Sequence, residues 1–296
     1  VKSSPQDAYV LYQAAKTAIE NKDYLWAEIN LNRSLGISMK RETAILVSLL
    51  YADIEMVRAD YPGVLRWLAS VEEFEKSPEI KIAPFIRYQI NSKKARVFVS
   101  GGDIGAAEKL LLENIAGYST VKESYYDLYN LYVSHGLWPE AAKLEETMKT
   151  IFPAFFAGID TAKMQQEFET LPFEKKLAFY IQNRNFAAAA ALVKELPSLD
   201  LDRQLLLVKL SFYGGNGEEG KRVIQEIVDR NPESIETLNK VGFFYLYNLF
   251  RVKDALVYLE QSLALNASQP EIVVLTNRLK SDYLGKLKDV WTEGPH

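Results

Sequence analysis

The residues able to do acid–base, nucleophilic or metal chemistry are few in this chain and stand far apart. There are two histidines and no cysteine in 296 residues. His135 precedes Gly136 at the end of a helical run, where an imidazole can cap free carbonyls and a cation suits the helix dipole. His296 is terminal. Neither has a second His or a Glu at the spacing a zinc site on a helix requires. Gly214-Gly215-Asn216-Gly217 is glycine-rich, but no Lys-Ser/Thr pair follows it. It also joins two helical stretches rather than a strand and a helix, so it reads as a turn and not as a phosphate cradle. The doublets Glu72-Glu73 and Glu145-Glu146 fall on helices and read as solvated faces. Asn32-Arg33-Ser34 and Asn266-Ala267-Ser268 match the glycosylation acceptor pattern, the first of them in mid-helix. The absence of cysteine excludes disulfides, thiolate metal ligands and a cysteine nucleophile. The expectation is therefore a chain with no catalytic residues, no metal and no cofactor: not an enzyme.

The bulk numbers agree with a binding role. Apolar residues make up 48% and charged residues 25%, ordinary values for a folded protein. A net charge of −4 gives no global field that would draw nucleic acid. No apolar run approaches the length of a membrane-spanning helix. At 296 residues the chain exceeds one compact core, so two domains or one elongated array are expected.

The elements explain the rest. Leu238, Val241, Gly242 and Tyr245 lie at i, i+3, i+4 and i+7, one face of a helix, and Ala255, Leu259, Ser262 and Leu263 repeat that period after a turn. A small residue where two helices cross lets their axes approach closely. The unit recurs. Small or compact residues open the second helix of seven successive pairs, at Ala27, Val64, Ala107, Ala141, Ala189, Gly220 and Ala255. Ala107 and Ala141 are 34 residues apart; Ala141 and Ala189 are 48 apart, leaving room for an extra short helix over about Ala154 to Phe168 and a hinge. Gly220 and Ala255 are 35 apart, so the seventh turn carries about one extra residue near Asn248 to Arg251.

This pattern resembles the tetratricopeptide repeat (TPR), a 34-residue helix–turn–helix unit with its small residue at the start of the second helix. The resemblance covers about residues 7–288 and departs from the family at Val64, in the long 72–84 link and in the 154–168 insertion. It implies an all-α fold, a right-handed α-solenoid of about seven TPR-like hairpins plus a C-terminal capping helix. The corresponding domain reading is a polar lead-in (1–6), a four-hairpin N-terminal array (7–153), an insertion or hinge helix (154–169), a three-hairpin C-terminal array (170–269), a capping helix (270–288) and a tail (289–296).

The resemblance also implies a concave groove lined by the first helix of each pair. Residues off the packing stripe of those helices are then the candidates for contacting a partner: Tyr9, Tyr12 and Lys16 in the first pair, Asp53 in the second, Arg96 in the third, Tyr126 and Asn130 in the fourth, Lys209 in the sixth and Phe243 in the seventh. Phe243, Tyr247 and Phe250 also form a stripe that the capping helix would bury. The third pair is locally basic: Lys76, Lys81, Arg87, Lys93, Lys94 and Arg96 face only Glu79, a balance of +5. This reads as a solvated face first and a surface for an acidic protein second.

The function expected is a non-catalytic scaffold that holds a protein or peptide partner in its groove, with assembly of a bacterial envelope complex as one setting. The alternative is a small-molecule or glycan-binding protein that uses the 17 tyrosines. A chain that begins at Val1, with a polar lead-in and no cysteine, favours a periplasmic location, compatible with a lipid anchor upstream as in a lipoprotein, over the cytoplasm.

Overall fold

The computed structural model describes residues 5–37, 39–75 and 84–285, and among these there is no strand. Seven helical hairpins follow one another: α1 (Pro5–Glu20) with α2 (Tyr24–Leu35), α3 (Arg41–Val57) with α4 (Tyr61–Glu75), α5 (Pro84–Ser100) with α6 (Ile104–Gly117), and α7 (Lys122–Ser134) with α8 (Trp138–Ile151). Two short helices, α9 (Pro153–Phe156) and α10 (Thr161–Glu169), come next. Then follow α11 (Phe173–Gln182) with α12 (Phe186–Lys194), α13 (Leu201–Tyr213) with α14 (Gly217–Arg230), and α15 (Ile235–Asn248) with α16 (Val252–Leu265). The described chain closes with α17 (Pro270–Arg278) and a π-helical turn, Leu279–Gly285. The chain is thus all-α and built from repeated helical hairpins, the organisation of an α-solenoid.

The hairpins share one turn geometry. Each reverses direction through a residue in the left-handed region: Lys22, Ala59, Gly102, Gly136, Arg184, Gly215 and Phe250. Every one of these lies five positions before the small residue of its pair. In the first six turns the next N–H donates to the carbonyl five residues back, as Asp23 does to Ala18 and Leu137 does to Tyr132. This is the closing bond of a Schellman cap, which satisfies a carbonyl the helix leaves free. In the seventh, Arg251 donates to Tyr245, six residues back, and that is where the expected extra residue is accommodated. The following helix starts at a side-chain cap in several pairs. Asp23, Asp60, Asp103 and Asn185 accept the N–H groups of Trp26, Gly63, Ala106 and Ala188 at 3.0–3.1 Å.

The small residues sit at the helix crossings. Ala27, Val64, Ala107, Ala141, Ala189 and Ala255 are wholly buried. At Gly220 a β-carbon would lie 2.8 Å from the Phe212 ring. Gly242 is tighter still. Its β-carbon would lie 2.7 Å from Cγ and Cδ2 of Leu259 and 3.3 Å from the Ala255 carbonyl oxygen. Gly242→Ala gains about 1 kcal/mol of helix propensity, yet it should lower stability by about 1–2 kcal/mol, because overpacking at a crossing forces α15 and α16 apart. Urea denaturation reads the sign directly, and a more stable variant would show that this crossing has slack.

Two compact units result, one from Val1–Lys81 with Arg222–His296 and the other from Ile82–Lys221. In the first, Tyr12, Ala15, Leu31, Val47 and Ile54 form a core beside the stacked rings of Tyr51 and Trp67, 4.3 Å apart. A buried polar link joins α2, the end of α3 and the π-helical turn. The Arg58 guanidinium donates to both carboxylate oxygens of Glu28 at 2.9 and 2.5 Å. Tyr283 bonds the same carboxylate and accepts from Arg58 at 3.1 Å. In the second unit, Ala95, Leu111, Leu128, Tyr129 and Met148 form one core and Phe186, Ala189, Val193 and Leu210 another.

Two local expectations are corrected. The segment 154–168 is two helices, because Gly158 and the Asp160 cap divide it; the Asp160 carboxylate accepts the Lys163 N–H. Glu145 is no solvated carboxylate. Its side chain is 14% exposed, it pairs with Lys149, and it accepts the Thr161 N–H at 2.8 Å, anchoring the start of α10. His135 caps its helix as expected: Nδ1 lies 2.9 Å from the Leu131 carbonyl oxygen, and burial lowers its pKa. The capping helix is helical through Arg278 and then widens into the π turn; residues 286–296 lie outside the described residues, as do Lys76 and Lys81 of the basic stretch.

Candidate partner-binding face

Within the second unit, the first helices of three hairpins present one polar cavity of about 390 Å³. Ser92, Arg96 and Val99 reach it from α5 at i, i+4 and i+7; Asp127 and Asn130 reach it from α7 at i and i+3. These spacings put each set on one helical face. The end of α11 and its turn contribute Asn183 and Arg184.

The turn is held in place by side chains. Arg184, forced into the left-handed region with φ 61°, donates from Nε to the Ser100 hydroxyl at 3.0 Å. Asn185 donates to the Ser134 carbonyl at 2.8 Å. Ser92 is fixed from behind, where the buried Asn114 amide donates to its hydroxyl at 3.1 Å. Burial pushes the Asp127 carboxyl above the ordinary carboxylate range, while the Arg96 guanidinium and a hydrogen bond with Tyr88 oppose that rise. Two guanidinium groups, the side-chain amides of Asn130, Gln182 and Asn183, and one partly desolvated carboxylate thus face a shared space. Such a set pairs well with the amides and acidic side chains of a peptide.

Arg96 is exposed and Asn130 half-buried at this cavity. Tyr126 lies one turn before Asn130 on α7 and is 49% exposed. Lys209, also in this unit, is half-buried with its pKa lowered by burial, its Nζ 6.0 Å from the Tyr213 ring centre and outside the cavity lining. The other candidates belong to the first unit. Tyr9 and Lys16 are exposed, and Asp53 and Phe243 are half-buried. Tyr12 is 8% exposed and part of the core, because α1 packs against both α2 and α3, which widens its buried face beyond a single stripe. Tyr247 is 61% exposed, so α17 leaves part of the aromatic stripe of α15 uncovered.

Asp127 and Arg184 were missed by reading the sequence. Asp127 shares a helical face with Asn130, a legible signal. Arg184 stands at a turn position, and nothing local says that the turn folds onto α5.

No protein-family model matches the chain, and no curated protein matches it in sequence. Among solved structures the chain is similar to the crystal structure of the P58(IPK) TPR domain, at 13% identity over 93% of this chain and 79% of that one, with a TM-score of 0.30. The repeated-hairpin organisation of the chain rests on its own turn register and buried crossings. The seven crossings also confirm the repeat expected from the spacing of small residues.

Proposed function

We propose that the chain is a helical-repeat scaffold that holds a segment of a partner protein against the inner helices of its second unit. The observation that carries this reading is the convergence of Arg96, Asp127, Asn130 and Arg184 on one polar cavity with an exposed tyrosine, Tyr126, on the same helix as Asn130. Rigid aromatics supply contact area at low entropic cost, and arginine supplies directional donors. Asp127 restricts the choice of partner by repelling a carboxylate placed beside it.

Affinity capture with cross-linking, followed by binding measurements on the recovered partner, tests the proposal. Cross-links should fall on α5 and α7. Arg96→Glu and Tyr126→Ala should each weaken the complex by about tenfold, the effect expected of a partly exposed anchor, without altering the melting temperature. Unchanged affinity in both variants would remove the polar cavity from the binding face.

A further inference from the structure

The first unit holds a cavity of about 400 Å³ lined by α2, α3 and α4. Glu28, Asn32 and Leu35 reach it from α2 at i, i+4 and i+7, Tyr51 and Glu55 from α3 at i and i+4, and Trp67 from α4. Its walls are mixed. The half-buried indole of Trp67 and the exposed Leu35 offer apolar surface. The carboxylates of Glu28 and Glu55, both largely buried, stand beside them.

One group in the lining has nothing to bond. Tyr51 is 4% exposed, and its hydroxyl is buried without a hydrogen-bond partner. Stacking on Trp67 fixes the ring, so the hydroxyl does not turn out to water. Burial, with the charge of Glu28 added, raises its pKa well above the ordinary tyrosine value, so it keeps its proton. A buried hydroxyl left unpaired costs stability, and phenylalanine would fill the same space without that cost.

Glu55 is incomplete in a second way. Its ion pair with Arg58 is 3.6 Å long, beyond hydrogen-bond length. Arg58 is committed instead to Glu28, at 2.9 and 2.5 Å. The other charges acting on Glu55 are those of Asp60, Glu28 and Arg66. Arg66 is 72% exposed and pairs with Asp60. Three carboxylates thus meet two guanidinium groups, and Glu55 is the one without a close cation.

A carboxylate and a hydroxyl oxygen in a cavity with apolar walls are complementary to a cation that donates hydrogen bonds. An ammonium donates three, and the buried Asn32 amide adds a further acceptor from α2. A divalent metal ion would need more oxygen ligands than this lining offers.

We propose that this cavity binds a primary ammonium group on an aliphatic stem. The ammonium donates to Glu55 and to the Tyr51 hydroxyl, and the methylenes lie against Trp67 and Leu35. A free alkylamine and the lysine side chain of a protein carry the same group.

Pentylamine at neutral pH is the probe, with 1-pentanol as its uncharged counterpart. Each is titrated into isotope-labelled protein while the Trp67 indole resonance, assigned through Trp67→Phe, is followed by NMR. Pentylamine should saturate at one per chain and bind about tenfold tighter than pentanol. Glu55→Gln should erase that preference. Tyr51→Phe should weaken pentylamine severalfold yet leave the melting temperature at or above that of the parent, because it deletes an unpaired buried hydroxyl. Tyr126→Ala, in the second unit, should change neither. Nα-acetyl-lysine methylamide separates the two sources: affinity equal to that of pentylamine assigns the site to a lysine side chain, and much weaker binding assigns it to a free amine. Non-saturable shifts, equal affinity for pentylamine and pentanol in the parent protein, or full affinity in both Glu55→Gln and Tyr51→Phe would each overturn the proposal. None of these outcomes bears on the polar cavity of the second unit.

Discussion

Arg58→Met should remove about 3 kcal/mol of stability, one of the two largest losses expected from a single side chain in this protein. The guanidinium is 14% exposed and Glu28 is 13% exposed, and their two parallel hydrogen bonds form the bidentate geometry that makes such pairs strong. Glu55 stands 3.6 Å away and is nearly as buried. Burial pushes its carboxyl upward and Arg58 holds it down. Methionine fills much of the arginine volume but leaves the carboxylates of Glu28 and Glu55 without their cation, Glu28 keeping only its bond with Tyr283. The cost comes from those orphaned groups more than from the lost attraction.

Hydrogen exchange should therefore show lost protection in α2, α3 and residues 279–285, with α5 to α13 unaffected. Adding Glu28→Gln to Arg58→Met should recover part of the loss, since it removes a stranded charge; a double-mutant cycle gives the coupling. A loss below about 1 kcal/mol for Arg58→Met would mean that the pair behaves as a solvated one.

Phe212→Ala should cost about 3–5 kcal/mol, the range for emptying a phenylalanine site in a core. Phe212 is 1% exposed and fills the crossing of α13 and α14, with its ring against the backbone at Gly217 and Gly220. The pairing of a large residue with glycine makes a sharper test available. In the parent protein, Gly220→Ala drives a β-carbon to 2.8 Å from the ring and should destabilise despite alanine's better helix propensity. In the Phe212→Ala background the same change enters a void and should be neutral or stabilising. Equal effects in both backgrounds, measured by urea denaturation, would show that the ring does not set the requirement for glycine.

Much of this protein was legible in its sequence, and the reason is local. Ala27, Ala107, Ala141, Ala189 and Ala255 mark helix crossings because crossing distance depends on the side chain at one position. The caps at Asp23, Asp103 and Asn185, and the glycines at 102, 136 and 215, declare the turns, because turn chemistry involves residues no more than about five apart. Even the extra residue before Arg251 follows from spacing alone. These features determine seven hairpins and an all-α chain, and the spacing of Asn130 from Tyr126 gives part of the proposed binding face.

The sites themselves were decided by tertiary structure. Glu28, Arg58 and Tyr283 meet across as many as 255 residues of sequence, and no periodicity links them. Tyr12 and Tyr126 looked alike in sequence, yet one is core and the other surface, because α1 packs against two helices at Tyr12. Glu145 appeared solvated until α10 folded its first amide onto it. Phe250 read as part of a hydrophobic stripe, whereas its left-handed backbone sets its ring edge to face against Tyr24. In each case the deciding partner lies on another element. Which elements meet depends on the small rotation added at every hairpin, a quantity that sequence periods of three and four residues do not carry.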